Sequence, residues 1–168
     1  MALGRIYLAL GSNSNATRNL ESALWHLQKV FGSLVISTVY SSEPLAGEGE
    51  DYLNAVVSFA FQGELEALKE RLLVLEQKHG RVRVPGGLET ALDLDILGLQ
   101  GIVGAGRMLK VPEQALSRSF VLAPLAELAP DLLESRSQLS FSQLWQQMDQ
   151  QAHPLTAVAI EVRDHGVR

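Results

Sequence analysis

The residues of this chain best suited to chemistry are two aspartates, Asp93 and Asp95, separated by a single leucine. In a β-strand, residues two apart point to the same side, so both carboxylates would lie on one face, about 7 Å apart. Carboxylates so placed repel each other unless a cation lies between them, and they suit Mg²⁺, which completes its coordination with waters and phosphate oxygens. A solvated polar face on an edge strand is the alternative, and the pair alone does not decide between the two.

Tyr52 and Asn54 form a second pair with the same spacing, at the start of another predicted strand. Tyrosine offers a flat ring for stacking, and asparagine offers a hydrogen-bond donor and an acceptor together. This combination suits a planar heterocycle with an amide edge, such as a pterin or guanine. A tyrosine at a strand end followed by an asparagine near a turn explains the pair equally well when no other residues are considered.

Five cations fall in two loop regions of an otherwise acidic chain. They are Arg81, Arg83, Arg107, Lys110 and Arg118. Such clusters indicate a site for a polyanion such as a nucleoside triphosphate, although scattered surface arginines are common. The sequence lacks the glycine-rich motifs of P-loop and dinucleotide-binding proteins, so a nucleotide site here would belong to neither class.

Hydrophobic periodicity predicts the elements that must position these residues. Strands are predicted over residues 5–10, 34–40, 52–61 and 91–99, with amphipathic helices over 20–31 and 65–75. The order strand, helix, strand, strand, helix, strand is that of an α+β ferredoxin-like βαββαβ sandwich. Helices over 120–128 and 140–151 and a strand over 156–162 are predicted to extend the same domain, which covers residues 1–168.

Composition limits the classes of function. The 168 residues are 46% apolar with a mean hydropathy of +0.09, which is enough for a buried core, and no apolar run is long enough to span a bilayer. The absence of cysteine excludes disulfides and thiolate metal sites. A net charge of −5 argues against nucleic-acid or membrane partners, and the paired aromatics of an RNA-recognition module are missing. We expect a cytoplasmic protein.

Seven segments, in this order, carry a resemblance to one family. They are residues 8–13 (LALGSN), 40–45 (YSSEPL), 51–57 (DYLNAVV), 75–83 (LEQKHGRVR), 92–97 (LDLDIL), 109–112 (LKVP) and 118–125 (RSFVLAPL). Together they resemble the 6-hydroxymethyl-7,8-dihydropterin pyrophosphokinases of folate biosynthesis, over nearly the whole chain to about residue 130.

The resemblance implies an activity: transfer of pyrophosphate from ATP to the hydroxymethyl oxygen of a dihydropterin, with release of AMP. It implies two Mg²⁺ ions held by Asp93 and Asp95, and a monomeric protein. The expected pterin-binding residues are Ser42, Leu45, Tyr52, Asn54 and Phe120, with Tyr52 and Phe120 on either side of the ring. The expected ATP-binding residues are Glu76, Arg83, Arg107, Lys110 and Arg118, and the expected catalytic residues are Asp93, Asp95, Arg83 and Arg118.

The chain departs from the family pattern on the ATP side. The pattern W-G-P-R-x-L-D-L-D has lost its tryptophan, Thr90 stands in place of its arginine, and Glu113 stands where the family has a histidine. Arg107 and Lys110 are the available substitutes. Since a transition-state arginine can contribute roughly 10³–10⁵ in rate, we predict weak ATP binding and reduced turnover. The alternative is a catalytically impaired paralogue that binds a pterin or a nucleotide.

Overall fold

The computed structural model of the chain describes residues 2–81, 86–101 and 108–168. The helices are α1 Ala16–Phe31, α2 Leu65–Lys78, α3 Ser119–Leu128 and α4 Phe141–Gln147, with a short 3₁₀ helix at Glu113–Ser117. The strands are β1 Ala2–Ser12, β2 Val35–Ile36, β3 Val39–Ser42, β4 Tyr52–Gly63, β5 Asp93–Gly101, β6 Met108–Leu109, β7 Leu133–Glu134 and β8 Thr156–Val158.

The main sheet is antiparallel and has the order β5-β1-β4-β3-β8, with β2 also paired to β4. The long strands β1 and β4 form its centre, and both are buried on the two faces of the sheet over their middle parts: residues 6–8 of β1 and 54–59 of β4 are all buried. Strands β6 and β7 form a separate parallel pair. None of the helices in the described ranges is both long and apolar enough to cross a membrane.

One face of the sheet is covered by α1 and α2. The apolar residues of α1 recur at helical spacing. Leu20, Leu24 and Leu27 are buried against the face of the sheet that carries Leu8 and Val57. This packing forms the larger hydrophobic core.

The opposite face carries a second core, formed by the last third of the chain. Helices α3 and α4 pack there on residues such as Tyr7, Val56 and Leu97, with Phe141 fully buried between them. The sheet is therefore sandwiched between two helical layers. A cleft on this second face lies beside the start of β4, the start of β5 and the start of α3.

A β-bulge in β5 bends the sheet next to this second core. The register between β1 and β5 shifts between Tyr7 and Leu8, so that Leu97 is the extra residue of β5. At the neighbouring Gly98, a Cβ atom would lie 2.7 Å from the Lys110 carbonyl oxygen and 2.9 Å from Leu109 Cδ1. Only glycine lets the segment around β6 lie this close to β5.

The prediction of one strand over residues 34–40 is wrong, because β2 and β3 are separated by Ser37 and Thr38. Ser37 Oγ accepts a hydrogen bond from Val56 N–H at 2.9 Å, so a side chain takes over part of the backbone ladder. The Thr38 N–H donates to Glu127 Oε2 of α3, at 2.6 Å. These side-chain bonds satisfy the backbone at the break.

The helix predicted over residues 140–151 begins as expected but ends early, at Gln147. Its start is fixed by a capping box between Ser140 and Gln143. Its end is followed by a turn in which Asp149 Oδ1 accepts the N–H of Ala152 at 3.2 Å. A side chain that bonds to the backbone ahead of it favours a turn over a continued helix.

The strand predicted over residues 156–162 ends at Val158, because the chain then leaves β3 and runs along α1. The C-terminal tail, which we define as residues 159–168, is held by Glu21, a residue that is only 3% exposed. The Glu21 carboxylate accepts the Glu161 N–H at 2.5 Å and His165 Nε2 at 2.9 Å, and pairs with Arg163 at 3.4 Å.

Candidate active site

The acidic pair lies on the open face of β5. Leu92 and Leu94 are buried in the larger core, as predicted from their alternation with the aspartates. Asp93 is opposite Gly11 in β1, and Asp95 is opposite Ala9. The two aspartates therefore stand above the smallest side chains of the neighbouring strand, which leaves room over this part of the sheet.

Arg81 is the cation that the structure gives to this pair. It forms an ion pair with Asp93 and another with Glu76, in which Arg81 Nη1 lies 3.1 Å from Glu76 Oε1. Glu76 is buried, and its Oε1 atom also accepts the Leu94 N–H at 2.8 Å. Arg81 was grouped with the other cations on sequence grounds but was not expected to be the partner of the aspartates.

Asp95 carries an unbalanced charge. Partial removal from water, repulsion by Asp93 and repulsion by Glu76 raise the pKa of the Asp95 carboxyl to about 7, against a smaller lowering effect of Arg81. Its side chain still reaches solvent, and the two neighbouring carboxylates disfavour a further negative charge beside them. A divalent cation at this position would remove that repulsion, and the donor set fits Mg²⁺.

The carboxylates alone do not make a complete metal site. In residues 2–81, 86–101 and 108–168, no group of three or more His, Cys, Asp or Glu side chains is arranged to hold an ion. An ion bound by Asp93 and Asp95 would need further ligands from water or from a phosphate. This is the usual situation of Mg²⁺ in sites that bind nucleotide phosphates.

Tyr52 and Asn54, the pair expected to bind a heterocycle, are both held by hydrogen bonds. Asn54 is 4% exposed, and its Nδ2 donates to Ser42 Oγ at 2.8 Å and to the Tyr40 carbonyl at 3.3 Å. Asn54 is opposite Gly11 in β1, where a Cβ atom would lie 3.5 Å from Asn54 Oδ1 and 3.8 Å from Tyr52 Cδ1. The amide oxygen of Asn54 and the edge of the Tyr52 ring therefore both border the space above Gly11.

A cavity of about 300 Å³ brings most of the expected site residues together. Its lining includes all five expected pterin-binding residues, one aspartate and one arginine: Ser42, Leu45, Tyr52, Asn54, Phe120, Asp93 and Arg118. Leu45 is 65% exposed, so it belongs to the rim. Arg118 and Phe120 come from the start of α3, whereas Tyr52, Asn54 and Asp93 come from the sheet.

Other expected residues lie elsewhere. Asp95, Glu76 and Lys110 are not among the described residues that line the cavity. Lys110 is exposed beside β6, and its carbonyl oxygen packs against Gly98. Arg83 and Arg107 lie outside the residues that the structure describes.

Thr90, at the position of the family arginine, is bonded to the rim of the cleft. Its hydroxyl forms a hydrogen bond of 2.8 Å with the Tyr52 hydroxyl. Its backbone pairs with Asn13, which also donates to the Leu88 carbonyl at 2.7 Å. Asn13 and Thr90 were not expected as site residues, because these bonds join segments far apart in sequence and only the short LALGSN motif pointed to Asn13.

The α+β fold and the cleft, with paired carboxylates beside a slot for a flat ring, are features of an enzyme that acts on a small heterocycle. Residues 7–130 match the family model described as 7,8-dihydro-6-hydroxymethylpterin-pyrophosphokinase (HPPK). The chain belongs to this family.

Curated relatives agree with the family match. The chain is 36% identical over 140 residues to the 2-amino-4-hydroxy-6-hydroxymethyldihydropteridine pyrophosphokinase of Haemophilus influenzae, covering 79% of this chain and 86% of that protein. It is 34% identical over 134 residues to the protein of the same name from Synechocystis sp., covering 78% of this chain and 69% of that protein.

Solved structures agree in fold. A crystal structure of an HPPK-DHPS protein in complex with substrates superposes with a TM-score of 0.63 at 13% identity, covering 87% of this chain. HPPK-DHPS from Plasmodium falciparum gives a TM-score of 0.58 at 12% identity, covering 86%. This chain spans 43% of each of those longer chains, and at these identities the likeness concerns the fold.

Proposed function

We propose that this chain is a 2-amino-4-hydroxy-6-hydroxymethyldihydropteridine pyrophosphokinase of the folate pathway, an enzyme that transfers pyrophosphate from ATP to the hydroxymethyl oxygen of the dihydropterin. The observation that carries the proposal is the shared cavity: five expected pterin-binding residues line it together with Asp93 and Arg118. The names of the curated relatives support the same activity.

The pterin would lie with its ring between Tyr52 and Phe120. These two side chains come from the sheet and from α3, both line the cavity, and aromatic faces stack well on a flat heterocycle. The Asn54 side chain, with backbone groups near Ser42 and Leu45, would bind the polar edge of the ring. The Asn54 amide is already oriented by Ser42 and Tyr40, so little ordering is required on binding.

ATP would approach from the side of Asp93 and Arg118. Two Mg²⁺ ions, held by Asp93 and Asp95 and by phosphate oxygens, would supply charge neutralisation for the phosphates. Arg118 contributes a fixed positive charge at the cavity wall, and we assign Arg83 the same task. The protein's own share of catalysis is then to align the hydroxymethyl oxygen with the β-phosphorus and to exclude water.

We further propose that turnover is reduced. Thr90 has no charge to give to a phosphate, and its hydroxyl is bonded to Tyr52. Glu113 adds a negative charge where the family has a histidine. The same observations support a second candidate, a pterin- or nucleotide-binding protein that has lost most of its activity.

We propose a ferredoxin-like layout for β1, α1, β2–β3, β4, α2 and β5, with the later elements as an extension. The antiparallel order β5-β1-β4-β3 supports it, since a split βαβ arrangement has this order. A cytoplasmic, monomeric protein remains part of the proposal. Cell fractionation and light scattering after gel filtration test these two points.

The experiment that tests the activity is product analysis. Purified protein, Mg-ATP and 6-hydroxymethyl-7,8-dihydropterin should yield AMP and a pyrophosphorylated pterin, which ³¹P NMR distinguishes from ADP and a monophosphate. Asp95→Ala should abolish both products. Binding of the pterin without any AMP release would favour the second candidate, and the absence of both pterin binding and Mg²⁺-dependent nucleotide binding would refute both.

A further inference from the structure

Glu127 bridges two elements that both contribute residues to the cleft. It lies near the end of α3, and its carboxylate accepts two hydrogen bonds from the segment that leads into β3: one from the Thr38 N–H at 2.6 Å and one from the Tyr40 hydroxyl at 3.1 Å. Thr38 is at the break between β2 and β3, where β4 gives it no ladder partner. Glu127 therefore binds β3 at the point where this strand is least restrained by the sheet.

The two ends of this bridge continue into the site. Phe120 and Glu127 are seven residues apart in α3, which places them on one face of the helix and about 10 Å apart along it. Tyr40 and Ser42 are two residues apart in β3 and so share a face of the sheet.

Tyr40 is also connected to the pterin-binding amide. Its carbonyl accepts from Asn54 Nδ2 at 3.3 Å, the same nitrogen that donates to Ser42 Oγ. Tyr40 is directly opposite Asn54 in the pairing of β3 with β4. A shift of β3 would therefore move both groups that orient Asn54.

We propose that Glu127 is a positioning residue for the pterin: by joining α3 to β3, it sets the distance between Phe120 on one wall and Ser42 and Asn54 on the other. This inference rests on the proposed function, because it concerns the same cleft. Among the described residues, the hydrogen-bond partners of the Glu127 carboxylate are Thr38 and Tyr40, and neither belongs to the acidic pair or to the residues assigned to ATP. The effect of Glu127 should fall mainly on the pterin, and the nucleotide should be affected less, although Arg118 also lies at the start of α3.

The geometry favours a role in positioning over a role in global stability. Glu127 is exposed, and hydrogen bonds of exposed carboxylates contribute little to the free energy of unfolding. The packing of α3 on the sheet is supplied by buried residues such as Leu122 and Leu125. Apolar contacts are not directional, so they fix the position of α3 along β3 less strictly than hydrogen bonds do. The two hydrogen bonds of Glu127 are directional and restrict small shifts of α3 relative to β3.

The test compares Glu127→Ala with Glu127→Gln in titrations with 6-hydroxymethylpterin, in the presence of Mg²⁺ and a non-hydrolysable ATP analogue. We expect the alanine variant to bind the pterin about tenfold more weakly and the nucleotide analogue within about twofold of the wild type. The glutamine variant should recover most of the affinity, because its amide oxygen can accept from Thr38 while its nitrogen donates to the Tyr40 oxygen.

Two more variants complete the design. Tyr40→Phe removes one of the two bonds without changing α3, and it should weaken pterin binding less than Glu127→Ala; the double variant should be no weaker than Glu127→Ala alone. Glu66→Ala is the matched control, because Glu66 is an 83% exposed helical glutamate that pairs with a surface lysine, Lys69.

Unchanged pterin affinity in Glu127→Ala would overturn the inference. So would an equal loss of pterin and nucleotide affinity together with a lower melting temperature, since this would mean general destabilisation. If the wild-type protein binds no pterin, both the proposed function and this inference are wrong. The titration of the wild-type protein shows that result before any variant is made.

Discussion

At the scale of single residues, the unliganded site holds more negative charge than it neutralises. Arg81 pairs with Asp93 and Glu76, and Asp95 is left with a raised pKa. A raised pKa in the folded state means that Asp95 costs stability increasingly as the pH rises from its unfolded pKa, about 4, towards its folded pKa of about 7; the full cost is present above pH 7 and is absent below about pH 4.

Asp95→Asn should therefore abolish Mg²⁺-dependent nucleotide binding while stabilising the unliganded protein. We expect a gain of about 0.5–1 kcal/mol in the free energy of unfolding at pH 8, a modest value because the side chain reaches solvent. Urea denaturation at pH 8 and pH 4 measures it, and the gain should shrink as the pH falls below 7 and vanish only near pH 4, about the unfolded pKa of an aspartate. Asp131→Asn, at a surface position, is the control; a loss of stability in Asp95→Asn at pH 8 would contradict the charge argument.

Thr90 gives the second residue-scale prediction. Thr90→Arg restores the cation of the family pattern, and we expect turnover to rise by about tenfold or more, since an arginine at a transferring phosphoryl group is worth roughly 10³–10⁵ when ideally placed. Thr90→Met, which adds length without charge, should give no rise. Steady-state kinetics with saturating pterin measures both, and equal rates in all three proteins would show that the missing charge does not limit turnover.

At the scale of elements, the bulge of β5 depends on a residue without a side chain. Gly98→Ala would push a Cβ atom into the Lys110 carbonyl and the Leu109 side chain. We expect a loss of about 1–3 kcal/mol in the free energy of unfolding, the usual range for overpacking. Gly11→Ala is the matched control in a neighbouring strand, where the new atom would make only ordinary contacts. Thermal unfolding of both variants measures the difference, and equal midpoints would contradict the close approach of β6.

The elements that the sequence predicted well are those with long local patterns. The alternation around Asp93 and the helical spacing of Leu20, Leu24 and Leu27 depend only on neighbours in sequence, so β5 and α1 were predictable. The break between β2 and β3 was not, because its reason is a carboxylate 89 residues further along the chain. The partnership of Arg81 with Asp93 was missed for a similar reason: it depends on how the end of α2 meets the start of β5.

At the scale of the whole molecule, the C-terminal tail closes the fold by returning to α1. The contact between Glu21 and Glu161 spans 140 residues of sequence, and Ile160 and Val162 pack on the larger core. Burial raises the pKa of Glu21, but the hydrogen bonds from Glu161 and His165 and the charge of Arg163 outweigh it and hold this pKa below its ordinary value.

A lowered pKa means that ionised Glu21 stabilises the fold at neutral pH, and that this contribution is lost as the pH falls below the unfolded value towards the lower folded one. Glu21→Gln should cost about 2 kcal/mol at pH 7, the size of a charge-assisted hydrogen bond. The difference from wild type should shrink at pH 4 and below, as urea denaturation at each pH would reveal. Glu70→Gln, on the exposed surface of α2, serves as control, and a difference independent of pH would rule out the ionised carboxylate as the cause.

At Gly11, the requirements of folding and of substrate binding differ. Folding tolerates a methyl group there, because the nearest atoms of Asn54 and Tyr52 are at van der Waals distance, yet in the proposed pterin site that methyl group would enter the space that Asn54 and Tyr52 border. A chain in this family could therefore acquire alanine at this position and remain well folded while losing its substrate. Alanine at position 11 in a relative would indicate that the relative has lost its activity. Measurements of its thermal stability would not reveal that loss.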